Sequence, residues 1–366
     1  MPDMAQRLDT PLCRELGIGY PIFCAGMGTA AGPDLAAAVS NAGGFGVVGA
    51  SSFLADAMPA LIAQVRERTT RPFGVNIIID DRDFSDEDKA ITRQQVSAAI
   101  AARVAAVILF WGDPAPYVEE AHRQGVRIII QVGSVDEARA AAASGVDAVI
   151  AQGVEAGGHV RGTTSIWTLL PAVVEAIKPV PVLASGGIGD GAGLARTIGL
   201  GAQGVSLGTR FVASNEAWCH PAYKQRIVDS TASDTVLNEL YDVWWPNAPH
   251  RTLRNKTFAE WEAAGRPPAN VPAKGPRSAG VGSDRARLWI GPATRSAWRP
   301  RISTATSSTR PSGQANPAAW SMTSGRPATS SETWPGTPTP SWPLPPARRR
   351  RKADFRSRSS SSSAVG

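Results

Sequence analysis

Along residues 1–276, short and nearly unbroken apolar runs alternate with Ala-rich segments whose apolar positions recur at helical spacing. The runs fall at 21–25, 46–49, 73–79, 105–110, 126–132, 148–151, 180–184 and 204–207. Continuous runs of this length suit strands buried on both faces, as in parallel sheets. The segments between them carry helix punctuation. Residues 34–41 end at Gly43-Gly44, a C-terminal stop, and residues 190–198 are followed by Gly199. Ser134 and Glu137 have the spacing of a capping box, opening a helix that stops at Gly145. Segments 144–149 and 200–205 echo each other weakly, each leading from a helix end into a strand. Eight strands in strict alternation with helices predict an α/β fold closed as a (β/α)8 TIM barrel. An open dinucleotide-binding sheet would want GxGxxG after its first strand, and Gly26, Gly28 and Gly32 lack that spacing.

The rhythm stops after residue 211. Residues 212–276 predict a small C-terminal helical and aromatic cap at the barrel mouth. It has a helix around 215–229, the segment Trp244-Trp245-Pro246-Asn247-Ala248-Pro249-His250, and a second helix at 257–264. The tryptophans either fill the contact with the barrel or belong to a core. Residues 277–366 are dominated by Ser, Pro, Arg, Thr and Ala, and include the basic run from Arg348 to Lys352 and a serine run. That composition predicts a disordered tail. One reading is a localisation or polyanion-binding tail. The abrupt break near Lys274-Gly275-Pro276 favours another, GC-rich DNA translated in a shifted frame.

Charge follows the same division. The chain has 38 Lys+Arg and 31 Asp+Glu, a net charge of +7. Fifteen of the basic residues and three of the acidic ones lie in 277–366, so residues 1–276 are net negative. Nucleic-acid binding is therefore not expected of the folded body. Cys13, Cys24 and Cys219 form no CxxC pair and have no ligand-like spacing with the four histidines. A reduced compartment without a metal site is the expectation. The first residues lack a basic region followed by an apolar one, and no stretch of about 18 apolar residues occurs. A cytoplasmic protein with no membrane contact is expected.

In a (β/α)8 barrel the site lies at the C-terminal ends of the strands. There the sequence places Ala25, Gly26 and Met27 after the first strand, Asn76 in the third and Gln131 at the end of the fifth. Residues 152–159 follow the sixth, Ser185-Gly186-Gly187 the seventh and Gly208-Thr209 the eighth. Paired glycines permit close backbone approach, and their N–H groups at a helix start can hold a phosphate. The loops after strands seven and eight are the usual phosphate site of this fold. Ser185 and Thr209 can add hydroxyl donors. The alternative is that these glycines only make tight turns.

Four segments together carry a family resemblance: Glu155-Ala-Gly-Gly-His159, residues 34–44, Phe73-Gly-Val-Asn-Ile77 and residues 183–188. Between about Thr10 and Pro276 the chain resembles the nitronate monooxygenases, formerly called 2-nitropropane dioxygenases. The resemblance implies non-covalently bound FMN, no metal, and oxidation of alkyl nitronates or nitroalkanes by O2 to carbonyl compounds and nitrite. By matching position it implies that Ala25, Gly26, Met27, Asn76 and Gln131 approach the flavin and that Gly158 lies close to it. Gly186, Gly187, Gly208 and Thr209 would bind the ribityl phosphate.

His159 is the expected catalytic group. A nitroalkane must lose its α-proton before electrons leave it, and imidazole suits that transfer near neutral pH. Toward an anionic nitronate the same ring would orient or stabilise the substrate. The plain alternative is a histidine that only ties down its loop. Glu155 either orients neighbouring groups or is simply solvated. His122, His220 and His250 fall in helix or cap contexts and read as structural, with His250 placed to line the mouth.

Two departures from the family pattern stand out. The eighth strand reads Ser206-Leu-Gly-Thr-Arg210 where relatives often carry Gln-Met-Gly-Thr, and ordered helical sequence does not continue after the cap. Two rival functions remain. One is an FMN-dependent NAD(P)H reductase of enoyl thioesters or quinones on the same scaffold. The other is an inactive barrel with a polyanion-binding tail. A nucleotide-dehydrogenase barrel would need a cysteine in the loop after strand six, and none lies there. The expected partners are a small-molecule substrate and O2; pattern alone leaves the oligomeric state open.

Overall fold

The computed structural model describes residues 8–79, 85–241 and 248–267. The proposed tail over 277–366 and the tryptophans of the 244–247 segment lie outside the described residues. Eight parallel strands make the barrel: β1 (Ile22–Cys24), β2 (Gly46–Gly49), β3 (Phe73–Ile78), β4 (Ala106–Phe110), β5 (Arg127–Val132), β6 (Ala148–Gln152), β8 (Val182–Ser185) and β9 (Gly204–Leu207). They are ordered β1-β9-β8-β6-β5-β4-β3-β2. The ring closes where Cys24 N donates to Phe45 O and Phe45 N donates to Ile22 O, both at 2.9 Å. The apolar runs therefore became the strands expected of them, because strands covered by helices outside and side chains inside have no wet face.

Helices α2 (Pro33–Asn41), α3 (Met58–Arg66), α4 (Asp86–Ala101), α5 (Ala115–Arg123), α6 (Val135–Ala143), α7 (Ile166–Ala176) and α8 (Gly191–Gly199) alternate with these strands. Ahead of them, α1 (Pro11–Leu16) is capped by Thr10 and stopped by Gly17 in a left-handed conformation. Thr10 Oγ1 donates to Gln203 O at 2.8 Å and Leu12 N donates to Gln203 Oε1 at 2.9 Å. These bonds fix α1 where β9 begins. There Leu12, Leu16 and Ile18 join Phe23, Phe45, Ile108, Ile129 and Leu183 in one buried apolar cluster.

Strand period divides the residues into two sets. Outward residues such as Val75, Leu109, Ile130 and Val149 pack with the helices, while Ala106, Ile108, Ile129, Ala148 and Ile150 fill the barrel interior. Continuing the inward set toward the C-terminal ends reaches Asn76, Gln131, Gln152, Ser185 and Ser206. Registers set Gln152 beside Ser185 and Ser185 beside Ser206. An apolar floor thus carries a polar layer at the end of the barrel where loops enter the helices.

Beyond the barrel, α9 (Thr209–Val212) and α10 (Pro221–Val228) lead to β10 (Thr235–Asn238) and β11 (His250–Leu253), then α11 (Lys256–Ala263). The helix expected around 215–229 is shorter than its pattern. Pro221 is its first residue, and the extended backbone that proline imposes on His220 ends it there. His220 Nδ1 accepts from Ala222 N at 3.1 Å, so this histidine caps α10. The helix expected at 257–264 runs one residue earlier, capped by Asn255. The pattern did not predict a hairpin: β10 pairs antiparallel with β11, and β11 pairs with the two-residue strand β7 (Gly158–His159). No helix among the described residues is long and apolar enough to cross a membrane.

Candidate active site

The residues singled out from the sequence all lie at the C-terminal end of the barrel, and several are in direct contact. A Cβ on Gly26 would fall 2.1 Å from Asn76 Cγ, so the Asn76 side chain occupies the space beside Gly26. Asn76 Nδ2 donates to Ile108 O at 3.0 Å, which fixes the amide in the buried polar layer. Gly208 adjoins Met27 Sδ and the Ala25 Cβ, and Gly157 adjoins Thr209 Oγ1. Gln131 lies in register with Phe110 on β4 and Ile150 on β6.

Gly26→Ala is accordingly expected to displace Asn76 and destabilise the fold by about 1–3 kcal/mol. Thermal melting should fall accordingly.

The loop after β6 is held from several sides. Gln152 Nε2 donates to His159 O at 2.8 Å, and Gln152 Oε1 accepts from Arg161 N at 2.9 Å. The Glu155 carboxylate accepts from Ser165 Oγ and, at 3.0 Å, from Ile166 N. Ser165 is the N-cap of α7 and makes no side-chain cap bond of its own. Glu155 therefore caps α7 from the loop, a favourable place for a negative charge at a helix N-terminus. It is neither simply solvated nor aimed at the site.

Gly186 and Gly187 follow β8 with φ of +99° and +66°. A Cβ on Gly186 would lie 2.9 Å from Ala156 N, so the loops after β6 and β8 touch backbone to backbone. Further along the same loop, the start of α8 is capped by the chain itself. Asp190 caps α8 and accepts from Gly193 N at 2.8 Å. A second anion is unwelcome there.

His159 is placed by the hairpin as well as by its own loop. It stands opposite His250 across the β7–β11 pair, with ring centroids 5.3 Å apart. Val160 N donates to Pro249 O at 2.8 Å. Arg251, next to His250, donates to Val154 O at 2.8 Å. The wall beside His159 is Trp111, immediately after β4, 6.3 Å away and nearly perpendicular. Trp111 is 5% exposed and has φ +78°. A bulky residue in that region costs about 1–3 kcal/mol and persists only where its surroundings over-determine it. Those surroundings include Phe110, edge-on at 5.1 Å, and the Arg161 guanidinium, 4.9 Å from the indole centroid. Arg161 Nε donates to Glu137 Oε1 at 2.8 Å, and Glu137 Oε2 accepts from Gly133 N at 2.8 Å.

The sequence reading did not single out Trp111 or Arg161, had Gln152 only as the start of the segment after the sixth strand, and placed His250 only at the mouth. A polar residue ending an apolar run was a usable signal for Gln152. Trp111 had the weaker one of a large aromatic between a strand and Gly112. The thiol of Cys24 in β1 is buried, and burial pushes its pKa up to about 12, so it is no nucleophile at neutral pH. Among the described residues no cluster of three or more His, Cys, Asp or Glu could hold a metal ion.

The comparisons with known proteins supply the class that the barrel alone does not fix, an oxidoreductase of the flavin type. Residues 9–297 match the family model described as nitronate monooxygenase, and the chain belongs to that family. The match extends past Pro276, where the motif-based resemblance ended. The chain is 36% identical to a Mycobacterium tuberculosis protein over 71% of this chain and 70% of the relative. That relative is named (3aS,4S,5R,7aS)-5-hydroxy-7a-methyl-1-oxo-octahydro-1H-indene-4-carboxyl-CoA dehydrogenase. Among solved structures, FabK from Thermotoga maritima is 37% identical with a TM-score of 0.63, covering 69% of this chain and 77% of that one. A nitroalkane oxidase from Streptomyces ansochromogenes is 30% identical with a TM-score of 0.63, covering 71% and 83%.

Proposed function

We propose that this protein oxidises alkyl nitronates and nitroalkanes with O2, yielding carbonyl compounds and nitrite, and that it uses FMN. The observation that carries the proposal is His159, held at the mouth by Gln152 and by the β7–β11 pairing. The residues present suit a flavin. Inward amides and hydroxyls lie above an apolar floor, and nothing lies within 4 Å of where a Cβ on Gly158 would point. Ala25, Gly26, Met27, Asn76, Gln131 and Gly158 would meet the ring system. Ser185, Gly186, Gly187, Gly208 and Thr209 would hold the phosphate. When bound, FMN supplies an electron acceptor that O2 can reoxidise.

The chain's own residues do the rest. His159 takes the α-proton from a neutral nitroalkane; for a nitronate, which has already lost it, the ring donates a hydrogen bond to a nitro oxygen. Trp111 and His250 narrow the approach to His159 and keep water from it. The same proposal includes the division into a barrel over 1–211, a cap over 212–276 and a tail over 277–366, and a cytoplasmic location.

A second reading rests on the name of the Mycobacterium relative, which specifies a carboxyl-CoA substrate. On that reading the scaffold handles a CoA thioester, and a nicotinamide rather than a nitronate exchanges electrons with the flavin. The two readings separate in one experiment. Purified protein is mixed anaerobically with propyl nitronate, then separately with NADH or NADPH, while flavin absorbance is followed. Bleaching by the nitronate alone is expected. A flavin reduced only by the nicotinamides overturns the monooxygenase reading.

A further inference from the structure

We propose that Trp111 is the residue that sets substrate size, acting as a rigid indole wall beside His159. The inference rests on His159 marking the reacting centre, as argued above.

Three observations carry it. Trp111 sits at φ +78°, where glycine is favoured and a bulky side chain is strained. The packed surroundings hold the indole in this place against that strain. Second, the indole is braced. Phe110 meets it edge-on, and Arg161 lies over its face while bonded to Glu137. Glu137 in turn holds the start of α6, capped by Ser134, through Gly133 N. The wall is therefore tied to a helix end and cannot swing aside as a loop aromatic could. Third, its ring stands at 81° to the His159 ring. A substrate carbon presented to His159 has the indole on one flank. Substituents on that carbon must run away from β4, which admits unbranched chains and excludes branched or aryl groups.

The test uses the flavin-loaded protein and two variants. Glycine accepts φ +78° without strain, so Trp111→Gly removes the wall and relieves the backbone together. Trp111→Phe keeps a smaller wall. Binding is read by calorimetry with acetate, butyrate, pivalate and benzoate, carboxylates that resemble nitronates in charge and shape. Turnover is read with propyl nitronate and with a nitronate bearing a phenyl group on its reacting carbon. Wild type is expected to bind butyrate at least tenfold more tightly than pivalate or benzoate. Trp111→Gly should shift that ratio roughly tenfold or more toward the bulky anions, the scale on which a pocket discriminates small apolar differences. Trp111→Phe should fall between. Size selectivity that is absent in wild type, or unchanged in a folded Trp111→Gly protein, overturns the proposal. Failure of nitronate turnover with the binding ratios shifted as expected would sink the proposed reaction while leaving the wall in place.

Discussion

His159→Ala is expected to lower kcat/KM for a neutral nitroalkane by about 10²–10⁴-fold, the usual contribution of a positioned general base. The same substitution should lower kcat/KM for the preformed nitronate far less, because that substrate has already given up its proton. The comparison is clean for a structural reason. Gln152 holds this loop through the His159 carbonyl and the Arg161 N–H, both backbone groups that survive truncation of the imidazole. The β7–β11 pairing is likewise main-chain. Far-UV circular dichroism and bound flavin should therefore match wild type. Steady-state rates with nitroethane and with its nitronate check the prediction. Equal losses on both substrates would assign His159 to orientation rather than to proton removal.

The second large effect is expected at Gly186. Alanine there must adopt φ +99°, and its Cβ would press on Ala156 N and on Gly153 O at 2.9 and 3.0 Å. Both are backbone atoms of the neighbouring loop, so no side chain can move aside to make room. Strain of this kind costs about 1–2 kcal/mol for the left-handed conformation alone. The easiest relief is to open the turn, which moves the Gly186 and Gly187 N–H groups from any phosphate they hold. Flavin affinity should fall by at least about tenfold, equivalent to roughly 1.4 kcal/mol. Titration of apoprotein with FMN, followed by flavin fluorescence, measures it directly. A Gly186→Ala protein that binds FMN as wild type does would remove this turn from the phosphate site.

These two sites differ in how far they could be read without coordinates. The glycine pair follows an apolar run directly, and in a βα repeat the position after a strand is a site position whatever the loop's detailed shape. Asn76 and Gln131 entered instead through the family resemblance and Ser185 as a loop hydroxyl; the structure puts all three on the inward face of their strands. Asp190 was not legible, because its role depends on its side chain folding back onto Gly193 N. The chain's own carboxylate thus sits at the start of α8. Glu155 was ambiguous for a related reason. Its partners, Ser165 and Ile166, belong to the next helix, and nothing local indicates that the loop turns toward them.

Alternation of apolar runs and capped, Ala-rich segments was enough to determine the barrel, and with it the end at which a site is expected. Strand and helix periods are local properties of covalent geometry and solvent exclusion, and they leave their mark on every repeat. Only the tertiary structure decided what surrounds His159. Trp111 reaches it from β4, and His250 arrives on a hairpin whose neighbouring Arg251 bonds a carbonyl 97 positions earlier in the chain. Those approaches depend on pairings between distant segments, and on a strained φ that sequence period cannot encode.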